Sequence, residues 1–573
     1  MTHRILLCAL FFNAVLQVKA APWLFKDGQT DYTIVLSKDA SATERTAANE
    51  LKTLLGQISG ATFNVRTGTL IPQKAICVGW TAETGVTKSA ADDEGYTYKT
   101  IGDNLYIYGG SKRGTMYGVY AFLERELGVR WFTSSVTKVP RLRQYALPQL
   151  DHSERPVIRQ RLDFYYEALR HYDWAAHNLL NTQYLLADTK YGKMDAYWGI
   201  HTFKTLIPPE TYFNTHPEYF SVYKGKRSDK AQLCLSNSEM RRELTKNLKA
   251  VMAQKPGYWC YDVSQNDNPW PCECSRCAKL VRKYGGQSGA MIWFVNQVAS
   301  EIKQTHPDKF IGTFAYQYTR QAPSNGSIKP AENVVVRLCD IECCMAHPLE
   351  QCPQNRSFLD DMNAWSKITK NIYIWDYATA FRNYLLPFPN FDVLAANLRY
   401  FSRAGVIGIM EEGAHDAQWG EFSELKQWLI AKLLWNPEQD IDSLASIFID
   451  GYYGAAAPHI KKYYDLCKRQ IRRDTHFTIT IDGNHPLYTD QFIAEAAPLM
   501  QQALAATGKA ADEQRRVRRI AAQTYYLKLS RSPSKSVADG TVGKLKDIVA
   551  TDPTVMAELG LTLDQMLNKL KYR

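Results

Sequence analysis

Four short runs set carboxylates beside amides and aromatic rings: Ser264-Gln-Asn-Asp-Asn268, Asp340-Ile-Glu342, Trp375-Asp-Tyr377 and Glu411-Glu-Gly413. Cleavage of a sugar acetal needs such groups. One carboxylic acid must protonate the departing oxygen, and a second group must stabilise or attack the cation-like carbon. Asp340 and Glu342 form the leading pair. Residues two apart on a strand leave the same face, with Cα atoms about 6.6 Å apart. The competing reading is an ion pair at a strand edge, with Arg337 as partner. Asp267 is either an acid, a sugar-binding group or the cap of an Asx turn. Only one of Glu411 and Glu412 looks into a cleft, because neighbours on a strand point opposite ways. Tyr316, Trp375 and Tyr377 are flat platforms that suit a sugar face or an ordinary core. The expected substrate contacts are therefore Asn266, Asp267, Tyr316, Trp375, Asp376, Tyr377, Glu412 and His201.

Cysteines crowd the same regions. Cys272, Cys274 and Cys277 form a tight cluster, and Cys339, Cys343, Cys344 and Cys352 bracket Asp340-Ile-Glu342. A disulfide that pins the loop is the favoured reading of the first group, ahead of metal or free thiols. Zinc would need a fourth ligand there, with Cys260 the candidate. For the second group, burial or a stiffening bridge outweighs a cysteine nucleophile, which would want a positioned base; His347 is the only nearby one. No metal or cofactor is expected.

These groups need a scaffold that gathers them. Between residues 156 and 424, short apolar runs alternate with helical stretches, which implies parallel βαβ units. Eight strands are expected, beginning near Arg161, Asn181, Gln232, Tyr258, Phe310, Val334, Ile372 and Val406. That number over about 260 residues fits a (β/α)₈ barrel, whose strand C-termini carry its active site. Residues 22–150 read as a small α/β domain, with strands at 32–36 and 104–108 and helices at 41–55 and 113–126. Gly110-Ser-Lys-Arg-Gly114 lacks the Walker spacing, so it is read as a helix start rather than a phosphate cradle. Residues 425–573 keep helical spacing at 425–435, 441–452 and 492–506. The expected fold is thus α/β: a TIM barrel with a small N-terminal α/β domain and a helical C-terminal region.

The chain has 573 residues, enough for two or three domains. Arg4, the apolar run 5–16 and Val18-Lys19-Ala20 read as a cleaved signal peptide over residues 1–20, which implies export to the periplasm or beyond. No later run is long enough to span a bilayer. The net charge of +11 gathers in helical segments around 461–473 and 515–519, where a solvated face accounts for it. Nucleic acid is not an expected partner; an oligosaccharide or glycoprotein glycan is.

Two sets of motifs resemble known families. Thr43-Glu-Arg-Thr-Ala-Ala-Asn-Glu-Leu51, Gly114-Thr-Met-Tyr-Gly-Val-Tyr-Ala-Phe-Leu123 and Leu127-Gly-Val-Arg-Trp-Phe132 resemble the N-terminal domain of α-glucuronidase-like hydrolases. Ile207-Pro-Pro-Glu, His216-Pro-Glu-Tyr-Phe220, the 264–277 cluster, Asp340-Ile-Glu-Cys-Cys344, Trp375-Asp-Tyr377 and Tyr452-Tyr-Gly454 resemble a large bacterial family, domain of unknown function 4838. Some of its members look like glycoside hydrolase family 163, endo-β-N-acetylglucosaminidases that cut between the core GlcNAc residues of N-glycans. That resemblance implies retaining chemistry in which the sugar's own acetamide attacks the anomeric carbon. Asp340 then fits the role of acetamide polariser and Glu342 that of general acid and base. Two alternatives stand beside this: an exo-acting enzyme on acidic sugars, with Arg161, Arg320 and Arg382 to hold a uronate, and a glycan-binding protein without catalysis.

Overall fold

The computed structural model describes residues 21–68, 70–79, 94–110, 113–183 and 187–571; the expected signal peptide lies outside them. The chain divides into two compact units. One ends at Leu127 and also takes in Val139–Glu154; the other holds Gly128–Lys138 and everything from Arg155 onward.

In the first unit a six-stranded mixed sheet is built from Thr33–Leu36, Asn64–Thr67, Ala75–Val78, Tyr96–Ile101, Asn104–Gly109 and Asp151–Glu154. Helix α1 (Ala42–Ser59) starts at a capping box, in which Ser41 and Glu44 satisfy each other's backbone amides, and it ends at left-handed Gly60. It buries Ala47, Leu51, Leu55 and Ile58, the one-sided stripe that its 3.6-residue spacing requires. Helix α2 (Gly114–Arg125) begins after Arg113; Ser111 and Lys112 of the Gly110–Gly114 run lie outside the described residues. A Cβ on Gly114 would sit 2.3 Å from the carbonyl oxygen of Gly95. Glycine there allows the helix start to approach the Gly95 carbonyl closely.

The second unit contains the barrel. Its parallel strands are β1 (Gln160–Phe164), β2 (Thr182–Gln183), β3 (Gly192–Trp198), β4 (Cys260–Asp262), β5 (Phe310–Ala315), β6 (Val334–Cys339), β7 (Ile372–Tyr377) and β8 (Gly408–Glu412). The ladder runs β1-β8-β7-β6-β5-β4-β3-β2. At the seam between β1 and β2, side chains take over from backbone pairing: Thr182 donates to Gln160 at 2.7 Å, and the Arg161 amide donates to Asn181 at 2.9 Å.

The expected third strand at Gln232 is a correction. The structure places β3 at Gly192–Trp198, while Leu233 makes only an isolated bridge to Phe220. Gln232 is instead a buried strut that donates from its amide nitrogen to the carbonyls of Asn266 and Asn268, at 2.9 and 2.8 Å.

The barrel interior is filled by aromatic rings around one cation. The Arg337 guanidinium on β6 lies 3.6 Å from the Tyr197 ring centroid and 4.9 Å from that of Tyr373. Gly312 on β5 makes room for this stack, since a Cβ there would overlap the Tyr197 hydroxyl. Asp262 on β4 accepts from Tyr197 at 3.1 Å and also from Ser264. Burial pushes its carboxyl up to about 6, against the pull of the Ser264 hydroxyl and Arg337.

Beyond the barrel, helices Ser423–Trp435, Ile441–Tyr453 and Asp490–Ala506 match the helical spacing of the sequence. The first is buried along its whole length, and one of its two lysines, Lys426, meets Glu421 at 2.7 Å. No helix among the described residues is long and apolar enough to cross a membrane.

Candidate active site

A cavity of about 820 Å³ opens at the C-terminal ends of the barrel strands. Every strand or the loop directly after it contributes: Phe164 from β1, Gln183 from β2, His201 after β3, Asp267 after β4, Tyr316 after β5, Cys339 from β6, Trp375 and Tyr377 from β7, and Glu412 from β8. The parallel topology produces this convergence, because all eight chains leave the sheet at the same end.

Glu412 is the most strongly perturbed carboxyl on the cavity wall. It is 7 % exposed, and its Oε2 accepts from the Trp375 indole N–H at 2.7 Å. Burial pushes its carboxyl up to about 8; the indole N–H opposes the shift, while Glu558 and Asp267 add to it. That shift favours the protonated form, which is the form a general acid needs. Asp267 is exposed to the opening and accepts from the Tyr316 hydroxyl at 3.1 Å. His201 is held with a left-handed φ of 53° and its Nδ1 lies 2.7 Å from the Gln265 carbonyl. The Nδ1–H therefore donates to that carbonyl, and burial lowers the ring's basicity. Phe314, Trp375 and Tyr377 supply apolar faces, with the Trp375 and Tyr377 rings stacked at 6.3 Å.

The structure gathers Asp267, Tyr316, Trp375, Tyr377, Glu412 and His201 around one space. The geometric premise for the leading pair is overturned. Strand β6 ends at Cys339, and Asp340 opens a turn in which the Cys343 amide donates to the Asp340 carbonyl at 2.8 Å. Pleat alternation stops there, so Asp340 and Glu342 do not share a face. Asp340 is fully buried away from the cavity, and Glu342 sits on the exposed surface with Arg320 at 3.1 Å. Asp376 is likewise sealed off, accepting from the Tyr377 amide at 2.7 Å. Asn266 is a loop strut whose amide donates to the Ala231 carbonyl at 2.9 Å. Of the arginines considered for a uronate, Arg382 lines the cavity; Arg161 packs on Trp435, and Arg320 joins Asp361 at 2.8 Å.

Several lining residues escape a strand-end reading. Arg170 and Tyr172 follow β1 on short helices, and His415 and Asp416 lie on the loop after β8. Glu558 comes from the far C-terminal region. The segment carrying it is fastened by the Tyr384 amide donating to Met556 at 2.7 Å and by the Gly560 amide donating to Asp416 at 3.1 Å. Nothing in local spacing relates Glu558 to the barrel.

The cysteines also differ from expectation. All eleven described cysteines are free thiols, so the bridges favoured from sequence are absent among the described residues. The fourth member of the first cluster is Cys234; Cys260 lies on β4 inside the barrel. A second group, Cys344, His347, Cys352 and His476, also has metal-ligand spacing. Both groups stand apart from the cavity lining.

The model of a domain of unknown function, DUF4838, matches residues 131–465. The chain belongs to the DUF4838 family. Ahead of that region, residues 27–122 match the glycosyl hydrolase family 67 N-terminus. No curated protein matches this DUF4838 chain in sequence. Among solved structures it is similar to a family GH115 4-O-methyl-α-glucuronidase, BtGH115A, described as specific for decorated arabinogalactans. The TM-score is 0.58 at 11% identity, over 92% of this chain and 76% of that one. At that identity the likeness establishes the fold. The Flavobacterium johnsoniae chitobiase FjGH20 matches with a TM-score of 0.43 at 12% identity, over 96% of this chain and 97% of that one.

Proposed function

We propose that this DUF4838 protein is a glycoside hydrolase whose general acid is Glu412. One observation carries the reading: a carboxyl whose pKa burial raises sits at a barrel strand end beneath an indole N–H and faces a sugar-sized cavity that also holds the exposed Asp267 side chain. In the finer reading the substrate is a GlcNAc-containing glycan, cut between the core GlcNAc residues by acetamide-assisted, retaining chemistry. Asp267, positioned by the Tyr316 hydroxyl, accepts the acetamide N–H. The acetamide oxygen attacks the anomeric carbon while Glu412 gives its proton to the leaving oxygen. The Glu412 carboxylate then takes a proton from the water that opens the oxazolinium, which restores the acid. Trp375 and Tyr377 supply the stacking faces.

A second reading is supported by Arg170 and Arg382 on the cavity wall: an exo-acting hydrolase that holds the carboxylate of an acidic sugar. Incubation with released and protein-bound N-glycans, followed by mass analysis, separates the two. Oligosaccharides ending in one GlcNAc support the first reading. Release of a uronic acid from acidic glycans supports the second. Binding without cleavage across both panels contradicts the hydrolase.

A further inference from the structure

Two groups of soft ligands lie outside the cavity, and the glycosidic chemistry uses neither. Cys344, His347 and Cys352 sit on the loop after β6, and His476 comes from the stretch that follows the helix Ala457–Arg469. Their ligand atoms all lie within 4.8 Å of one another. Cys344 Sγ is 3.8 Å from His347 Nδ1 and 3.3 Å from His476 Nδ1, and Cys352 Sγ is 3.7 Å from His476 Nδ1. Zinc bonds of about 2.3 Å to sulfur and about 2.05 Å to nitrogen give a tetrahedral S···N edge of roughly 3.5–3.6 Å. The three distances straddle that edge.

A thiol–imidazole hydrogen bond explains one such contact. It does not explain Cys344 Sγ facing two imidazoles while His476 Nδ1 faces two sulfurs. The tautomer agrees with ligation as well. His347 Nε2 lies 2.9 Å from the Arg472 carbonyl, so Nε2 carries the proton and Nδ1 turns its lone pair to the sulfurs. The Ala346 amide also donates to Cys344 Sγ at 3.4 Å, as it would to a thiolate ligand.

We propose that Cys344, His347, Cys352 and His476 bind a zinc ion that ties the loop after β6 to the 476–480 stretch. That stretch matters to the cavity, because Ile479 and Thr480 line it. Backbone bonds on either side confirm the path: the Met345 amide donates to Phe477 at 2.8 Å, and the Phe381 amide donates to Ile479 at 3.1 Å. Zinc is the metal of choice for two thiolates and two imidazoles in a closed tetrahedral set.

A separate observation carries a second zinc at Cys234, Cys272, Cys274 and Cys277. Cys234 Sγ lies 3.8 Å from both Cys274 Sγ and Cys277 Sγ. This equals the tetrahedral S···S edge for bonds of about 2.3 Å and is far from the roughly 2.05 Å of a disulfide. Backbone amides of Val222 and Cys277 donate to Cys272 Sγ and Cys274 Sγ at 3.3 and 3.4 Å. This ion would anchor the loop that carries Asp267.

The test is metal content of the full-length protein, purified without metal-affinity resin and dialysed, together with mass analysis of its cysteines. The expected result is two zinc per chain, falling to one in Cys352→Ser and to one in Cys234→Ser. Cobalt exchanged into the wild-type protein should give thiolate charge-transfer bands and tetrahedral d–d bands from both sites. That measurement does not depend on either variant folding. Wild-type protein with no zinc and every thiol free overturns both sites, and a Cys344–Cys352 disulfide overturns the first. A disulfide among Cys234, Cys272, Cys274 and Cys277 overturns the second. Neither outcome bears on whether Glu412 is a catalytic acid.

Discussion

On β7 and β8, Trp375, Tyr377 and Glu412 border the cavity, whereas Asp376 and Glu411, each one residue away, are sealed on the opposite face with Asp340 and Asp163. The register places Asp163, Glu411 and Asp376 side by side across three strands. No ion pair reaches this outer row among the described residues; instead carboxyl meets carboxyl, with Asp376 in hydrogen-bonding contact with both Asp340 and Glu411. Burial drives all four carboxyls up; for Glu411 and Asp340 the neighbouring Asp376 adds to it. The inner face uses burial differently. It perturbs one acid, Glu412, gives it an indole donor and leaves it at the edge of a space a substrate can enter. A raised carboxyl pKa thus marks an acid catalyst only where the group also meets open volume.

The largest effect expected from this contrast is on Glu412→Gln, which should lose about 10²–10⁴ in kcat with an unchanged melting temperature. Asp267→Asn should lose about 10²-fold or more in kcat. It should also move the alkaline limb of the pH profile down, because the Asp267 charge helps to keep Glu412 protonated. In the wild type that limb should lie near pH 8, where Glu412 gives up its proton. Trp375→Phe removes a donor to the carboxylate, so the limb should move up, alongside a loss of affinity from the missing indole. The smallest change in turnover belongs to the outer row. Asp340→Asn keeps a neutral group in place and should leave kcat within a few-fold. Its signature is in stability: a folded-state pKa above the unfolded value gives stabilisation that is complete below about pH 4 and fades as pH rises through the folded pKa. Asp340→Asn should flatten that decline in melting temperature measured against pH.

The barrel is legible in the sequence because seven of its strands begin within about two residues of the short runs that alternate with helical stretches, and the strand ends point to Asp267, Tyr316, Trp375 and Glu412. The failures have physical causes. Around Gln232, an apolar alternation serves a bridged loop rather than a strand, so β3 was misplaced. At Asp340 the period of two was carried one residue past the end of β6, where a turn rotates the next side chains. Parity alone does not say which of Glu411 and Glu412 meets the open face, because it does not say which face is open. Glu558 and His476 reach the barrel mouth from the helical region, and long-range folding of that kind leaves no periodic trace. Cys234 lies 38 residues before Cys272, too far for any local motif to join them.

The most direct test is turnover of Glu412→Gln and Asp340→Asn side by side on one cleaved glycan at pH 7. The account predicts a loss of at least about 10²-fold for the first and near wild-type rates for the second. The reverse ranking, with Glu412→Gln active and Asp340→Asn dead, would contradict the assignment of chemistry to the inner face.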